Sequence, residues 1–464
     1  MVKLKYSLIF ILLGLILVVA WSLRYRHYDV IPLPGESQDE YSNSWVGLSL
    51  IRLGVPVSHT GLAGYQDTDY RYINVDHIYQ STARGLSLSI NRPWLDHPPL
   101  LGLITGSWSY LRGARVFSDT TAHLVRQPLL IFSLITISLT FWLGAMLFGA
   151  TTGLLAALLL AVSPIVTVSS RMVQAENGFI ISWLLGLIFI LYYLRSPRPW
   201  LLYLAAMAAA ISVWFKLPGI VAVISITIIL YQSRHRLAWF TWLHFLLIST
   251  LGAASVIFYG LSFGSTFTSV QLANASRTYG LGFDILYKLF TATKITSDKF
   301  LTDGLVPAAW LAVFALIHRL PLQRQLQPIL IPIFSYLCLY LYLGSGDYGW
   351  YHIPFFPFLF LTLARYLTYS WTHVRSVFTS FLFLLLPVGI SLGKIYGSVS
   401  QSGLLSLWKV IIILLSAAFV LCFCFQKRPV WLLRGILVAI FSLAAYLSLK
   451  YNLMLTPDYW YHAT

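Results

Sequence analysis

The chain has 464 residues, of which 58% are hydrophobic and only 10% charged. Soluble proteins carry about a quarter charged residues, so a chain this long and this apolar is not a single water-exposed globule. Its net charge of +16, from 31 Lys and Arg against 15 Asp and Glu, does not indicate nucleic-acid binding, because no soluble segment interleaves basic with aromatic residues. Basic residues lining cytoplasmic loops account for the charge instead. Cys338, Cys422 and Cys424 all lie in apolar stretches, which points to neither a disulfide framework nor a zinc site.

Apolar stretches long enough to cross the hydrocarbon layer, about 20 residues each, recur along the chain. They fall near 6–23, 127–148, 153–170, 177–194, 200–215, 218–232, 238–260, 304–318, 328–344, 353–369, 376–392, 404–425 and 430–449. The pattern predicts an all-α polytopic membrane protein with about thirteen transmembrane helices. The first stretch follows Lys3 and Lys5 and lacks a small-x-small cleavage site, so it reads as an uncleaved anchor. Two long loops are expected, at 24–126 and 261–303, with no soluble domain or low-complexity linker.

Within the first loop, His97 to Arg112 is apolar but reaches only some 24 Å at about 1.5 Å per residue. Leu100, Ile104, Trp108 and Leu111 share one helical face, and such a helix can lie in the interface rather than span. The basic loops decide between the two. With this helix flat and the N-terminus inside, the cytoplasmic connections hold Arg195/Arg198, Arg234/Arg236, Arg319/Arg324, Arg375 and Lys427/Arg428/Arg434, as the positive-inside tendency requires. Arg112, Arg115 and Arg126 then stay outside, in a long loop that the rule governs poorly. All 15 acidic residues fall on the extracytoplasmic side, including Asp29, Glu36, Asp39, Glu40, Asp67, Asp69, Asp76, Asp96 and Asp119 in the first loop. Carboxylate chemistry is therefore expected outside, where ATP and nucleotide sugars are absent and a membrane-delivered donor is needed.

Four places carry candidate chemistry. Adjacent carboxylates in Glu36-Ser37-Gln38-Asp39-Glu40-Tyr41 can serve as base, metal ligand or substrate clamp, or can be solvated loop charges. Asp96-His97-Pro98-Pro99 sets an extended approach and a helix start, with His97 available to phosphate or metal or serving only as a structural helix-start residue. Arg171-Met172-Val173-Gln174-Ala175-Glu176-Asn177 places two opposite charges in a short loop between apolar helices; a structural Arg171–Glu176 pair is the plain alternative to a functional one. Lys216, in Trp214-Phe215-Lys216-Leu217-Pro218-Gly219, breaks an apolar run on the outer side, where an ammonium can hold a lipid phosphate or simply snorkel. The second loop adds Arg277, Lys288, Lys294 and Lys299, and Asp347 to Pro354 reads as an aromatic belt. A Gly-rich phosphate loop, a Ser/His/Asp triad and a metalloprotease helix are not present.

These sites, in this order, resemble the GT-C superfamily of integral-membrane glycosyltransferases, closest to the branch containing protein O-mannosyltransferases and the lipid A aminoarabinose transferase. The resemblance rests on Asp39-Glu40 after the first helix, His97-Pro98-Pro99 opening an interfacial helix, Arg126-Gln127-Pro128, Arg171 to Glu176, Lys216-Leu217-Pro218-Gly219 and Tyr351-His352-Ile353-Pro354-Phe355-Phe356-Pro357. It implies a GT-C fold with a catalytic module over 1–260 followed by a second part over 261–464. It also implies inverting transfer from a polyprenyl-phosphate sugar to an acceptor hydroxyl on a protein, glycan or lipid. By position, Asp39 looks like the base, with Glu40 beside it, and Glu176 like the second acidic site. His97 and Lys216 match the donor-phosphate side, and Arg171 and Arg277 are further candidates for it as cations. No cofactor is assigned; a divalent metal at Asp39, Glu176 and His97 is left open, since aminoarabinose-type relatives have Glu-Lys-Pro where this chain has His97-Pro98-Pro99. Without a large extra luminal domain, the expected setting is the plasma (inner) membrane of a prokaryote. A transporter or lipid flippase is the alternative, and a non-catalytic scaffold the third reading. The enzyme reading predicts that Asp39 and Glu176 converge on one outward-facing cavity.

Overall fold

A computed structural model of the protein describes residues 2–37, 39–65, 69–74, 87–233, 239–276, 288–290, 293–295, 299–317, 324–343, 349–374, 380–396, 406, 409–410, 413 and 430–463. The chain is a multi-pass membrane protein built almost wholly of helices. The first long apolar helix, α1 (Val2–Tyr25), exposes Leu8, Ile11, Leu15 and Val18 along its length, as a lipid-facing helix does. Further apolar helices follow: α5 (Gln127–Phe148), α6 (Ala150–Val162), α7 (Pro164–Ser169), α8 (Glu176–Arg195), α9 (Pro199–Phe215), α10 (Ile220–Gln232) and α11 (Trp239–Leu261). The second half contributes α13 (Leu305–Ile317), α14 (Gln327–Leu343), α15 (Phe356–Thr372), α16 (Ser380–Tyr396) and α17 (Val430–Met454). Among the described residues, six helical stretches are long and apolar enough to cross a membrane, and several shorter apolar helices pack beside them. The stretch expected at 404–425 lies almost entirely outside the described residues.

The span expected at 153–170 is two helices. Pro164 has no N–H to donate, so α6 ends at Val162 and leaves carbonyls unmet at a depth where water is scarce. Buried side chains from two other helices meet them. Arg24 of α1 donates from Nη2 to the Leu160 carbonyl at 2.9 Å and from Nη1 to Ala161 at 3.0 Å. Asn452 of α17 donates to the Val162 carbonyl at 2.7 Å. Ser163 caps α7 by accepting from the Val166 N–H, and its hydroxyl donates to buried Asp303 just before α13. The break thus ties together α1, α7, α13 and α17. One apolar core runs from Ala20 through Trp183 to Trp460.

The first long loop is folded. It holds α2 (Asp39–Leu53), a three-stranded antiparallel sheet ordered β1 (Ser58–His59), β3 (Ser87–Arg92), β2 (Asp69–Asn74), then α3 (Leu100–Leu111) and a short turn of helix, α4 (Ala122–Val125). Helices α2 and α3 lie side by side in the same direction, because Gly47 and Gly102 remove the side chains at their crossing. A Cβ on Gly102 would stand 2.5 Å from the Asn43 carbonyl oxygen. The face of α3 carrying Leu101, Gly102, Thr105, Gly106 and Ser109 is buried, Leu111 is exposed, and Leu100 and Ile104 are partly buried against the core. In the second loop, α12 (Ser265–Ala275) docks on the first: Gln271 donates to the Leu95 carbonyl at 3.0 Å and Asn274 to the Asp96 carbonyl at 3.2 Å.

Candidate active site

Because α2 and α3 run in parallel, their N-terminal ends lie at the same end of the pair. Asp39 and Glu40 occupy the first turn of α2, and Asp96, His97 and Pro98 immediately precede α3. Both helix ends present partial positive charge toward this region.

The two adjacent carboxylates have different environments. Glu40 is fully buried and accepts from the Arg126 guanidinium, at Oε1 from Nε and at Oε2 from Nη2 at 2.9 Å. The remaining Arg126 nitrogen, Nη1, donates to the Tyr28 and Pro32 carbonyls, each at 2.8 Å. This fork holds the segment between α1 and α2 against the start of α5. Asp39 is half-buried, and among the described residues its carboxylate makes no hydrogen bond. Its own backbone is fixed: Asn43 Nδ2 donates to the Asp39 carbonyl at 2.9 Å and to the Val173 carbonyl at 3.1 Å. Gln174 Nε2 donates to Ser37 Oγ at 2.7 Å. These bonds bring the Asp39 segment onto the short loop leading to Glu176.

Glu176 is buried at the first position of α8, and Lys216 Nζ donates to its Oε1 at 2.7 Å. Gly178 permits the approach, since a Cβ there would stand 2.2 Å from the Phe215 ring. The ammonium also lies 4.7 Å from the ring centre of Tyr351, whose own carbonyl accepts from Tyr336 at 3.0 Å. Glu176 Oε2 is buried and has no hydrogen-bond partner among the described residues. The Asp39 carboxylate lies close enough to add its field at both Glu176 and Lys216. Asp39, Glu176 and Lys216 are therefore brought together. A small cavity of about 20 Å³ among the described residues is bordered by Ser133, Ser169, Asn177, Ile180, Ile353 and Phe356, and Asp39, Glu176 and Lys216 do not line it.

An Arg171–Glu176 pair is not formed. Arg171 is buried and donates to the carbonyls of Leu23 at 2.6 Å, Arg26 at 2.8 Å, Arg24 at 3.1 Å and Ile31 at 3.3 Å. Its donors face the C-terminal turn of α1, not a phosphate. His97 is half-buried, edge-on to Trp94 at 5.9 Å between ring centres. Its neighbour Asp96 is fixed by the hydroxyls of Thr60 and Tyr65. Burial pushes the Tyr65 hydroxyl well above its ordinary range and the Asp96 carboxylate adds to this, so it remains a donor. Arg277 lies outside the described residues. Asp39, Glu176 and His97 do not form a three-ligand metal cluster; no such group exists among the described residues.

Three residues the sequence reading did not place in the site now help build it: Arg126, Asn43 and Gln174. Arg126 left a signal, as a cation on the outer side close to lipid; the other two left none. A Glu176→Gln, Lys216→Met double-mutant cycle on thermal stability is expected to show coupling of about 0.5–3 kcal/mol. Additive single effects would contradict direct pairing.

Residues 96–259 match the family model for dolichyl-phosphate-mannose-protein mannosyltransferase. No curated protein matches the chain by sequence. Among solved structures it is similar to ArnT from Cupriavidus metallidurans in the apo state, with a TM-score of 0.56 at 14% identity over 97% of this chain and 77% of that one. The same protein bound to undecaprenyl phosphate gives 0.53 at 14% identity, covering 95% and 76%. The archaeal oligosaccharyltransferase AglB from Archaeoglobus fulgidus, in complex with an inhibitory peptide and a dolichol-phosphate, gives 0.50 at 11% identity, covering 97% of this chain and 56% of that one. At such identities the likeness is one of fold. The chain shares the fold of these GT-C glycosyltransferases along nearly its whole length, and the family match covers its centre.

Proposed function

We propose that the protein transfers a sugar from a polyprenyl-phosphate donor to an acceptor hydroxyl, with inversion, on the extracytoplasmic face of a prokaryotic inner membrane. The observation that carries this reading is the contrast at the start of α2: Glu40 is committed to Arg126, while the Asp39 carboxylate is uncommitted among the described residues and its segment is tied to the loop leading to the Glu176–Lys216 pair. A hydroxyl is a poor nucleophile until its proton is taken, and an unpaired carboxylate at the site can take it. The acceptor oxygen then bonds to the anomeric carbon as the carbon–oxygen bond to phosphate breaks. The electron pair leaves with the polyprenyl phosphate.

Lys216 is the cation for that leaving charge, reached by shifting from Glu176, and His97 is assigned to the donor side by its place in the sequence. Glu176 holds Lys216 through one oxygen and offers the other to a hydroxyl of acceptor or sugar. Glu40 and Arg171 hold the frame rather than the substrate. These residues all lie within 1–260, the part we assign to catalysis; 261–464 completes the bundle, and Arg277, just past α12, is assigned to the donor side on position alone. The lipid carrier is supported by ArnT, bound to undecaprenyl phosphate, and by AglB, bound to a dolichol-phosphate. The side of the membrane is supported by the positive-inside pattern of the loops.

A transporter with a broken helix would use the freed carbonyls for its substrate. Here those of Leu160, Ala161 and Val162 are occupied by Arg24 and Asn452, which favours the enzyme. The test uses purified protein in lipid nanodiscs given polyprenyl-phosphate sugars or nucleotide sugars. Release of polyprenyl phosphate with a product of inverted anomeric configuration is expected. Turnover of nucleotide sugars alone, or retained configuration, would overturn the reading.

A further inference from the structure

We infer that the short helix α18 (Pro457–Ala463) braces the segment that carries the base, with Trp460 as a positioning residue acting through Glu36. The inference rests on the assignment of Asp39 as base and extends it to a part of the chain the sequence reading did not connect with the site.

Trp460 is 0% exposed, among the largest fully buried side chains, although α18 is only seven residues long. Its indole Nε1 donates to Glu36 Oε2 at 2.8 Å, across 424 positions of sequence. The same oxygen accepts from the Leu33 N–H at 2.9 Å, so one carboxylate closes a local turn and anchors it to α18. The next residue, Ser37, accepts from Gln174. The segment before Asp39 is thus held from two sides: by α18 through Glu36, and by the loop leading to Glu176 through Ser37. Among the described residues no regular secondary structure holds it between α1 and α2.

The brace is itself anchored. Lys299 Nζ donates to the Tyr461 carbonyl at 3.1 Å, and Tyr459 to the Lys394 carbonyl at 3.4 Å. Just before α18, Asn452 holds the Val162 carbonyl at the break of α6. A run of fixed contacts therefore leads from the membrane core to Glu36, three positions before the base. The plain alternative is that Trp460 only fills space. A space-filler needs its ring; a brace also needs its N–H.

The experiment compares wild type with Trp460→Phe, which keeps an aromatic ring and removes the donor, and with Glu36→Gln, which keeps the shape and removes the charge. The full chain in nanodiscs is assayed for kcat and donor KM on folded protein, with hydrogen exchange followed over residues 33–43. We expect both variants to lower kcat roughly tenfold with donor KM unchanged, since small misplacement of a reacting group acts on the chemical step. Exchange over 33–43 is expected to quicken. Unchanged kcat and exchange in both variants, or a loss confined to the yield of folded protein, would overturn the inference. If wild type consumes no donor, the transferase reading fails instead, and exchange still decides whether the brace exists.

Discussion

Asp39→Asn is expected to lower transfer by roughly 10²–10⁴-fold in kcat, the range that general-base catalysis contributes, with no loss of folded protein. The substitution keeps the shape of the side chain and removes only its ability to take a proton. It breaks nothing in the resting fold, because the carboxylate has no partner among the described residues and the bond from Asn43 goes to the backbone carbonyl. Loss of one charge in the first turn of α2 costs about 0.3–1 kcal/mol. Melting temperature and donor KM are the controls. A variant that turns over normally would remove Asp39 from the mechanism, and one that fails to fold would assign it a structural role.

The neighbouring residue should behave in the opposite way. Arg126→Ala is expected to destabilise the protein by about 3–5 kcal/mol, because it leaves the Glu40 carboxylate buried without its countercharge. It also strips the donor from the Tyr28 and Pro32 carbonyls. Glu40→Ala should do the same from the other side, whereas replacing both residues with methionine should recover part of the loss. Thermal melting followed by size-exclusion chromatography in detergent reads this directly. Folded Arg126→Ala protein with a wild-type midpoint would contradict the buried-pair assignment. Two side chains adjacent in sequence thus separate catalysis from stability.

The membrane helices were legible because their signal is length of apolar run, and α5, α8 and α11 fall within a residue or two of expectation. Helix α2 was not. Its sequence, Asp39-Glu40-Tyr41-Ser42-Asn43-Ser44-Trp45, is polar and without period, because nearly every face of it is buried in a folded loop rather than one face in lipid. The break of α6 was written in Pro164, yet the apolar run continues through it, and the side chains that make the break tolerable come from α1 and α17.

At the site, the single residues Asp39, Glu176 and Lys216 were readable as charges that belong neither in lipid nor in a plain loop. Their partners were not, since Glu40 meets Arg126 over 86 positions and Glu176 meets Lys216 over 40. Arg171 illustrates the limit. A cation beside a short loop can serve a phosphate or a set of carbonyls, and only the turn at the end of α1 decides it.

The most direct measurement is transfer of label from a panel of polyprenyl-phosphate sugars in membranes expressing the wild-type protein, with Asp39→Asn alongside at equal folded abundance. The account predicts that one donor loses its label in the wild-type membranes only. Consumption of no donor by the wild type, or equal consumption by both proteins, would contradict it.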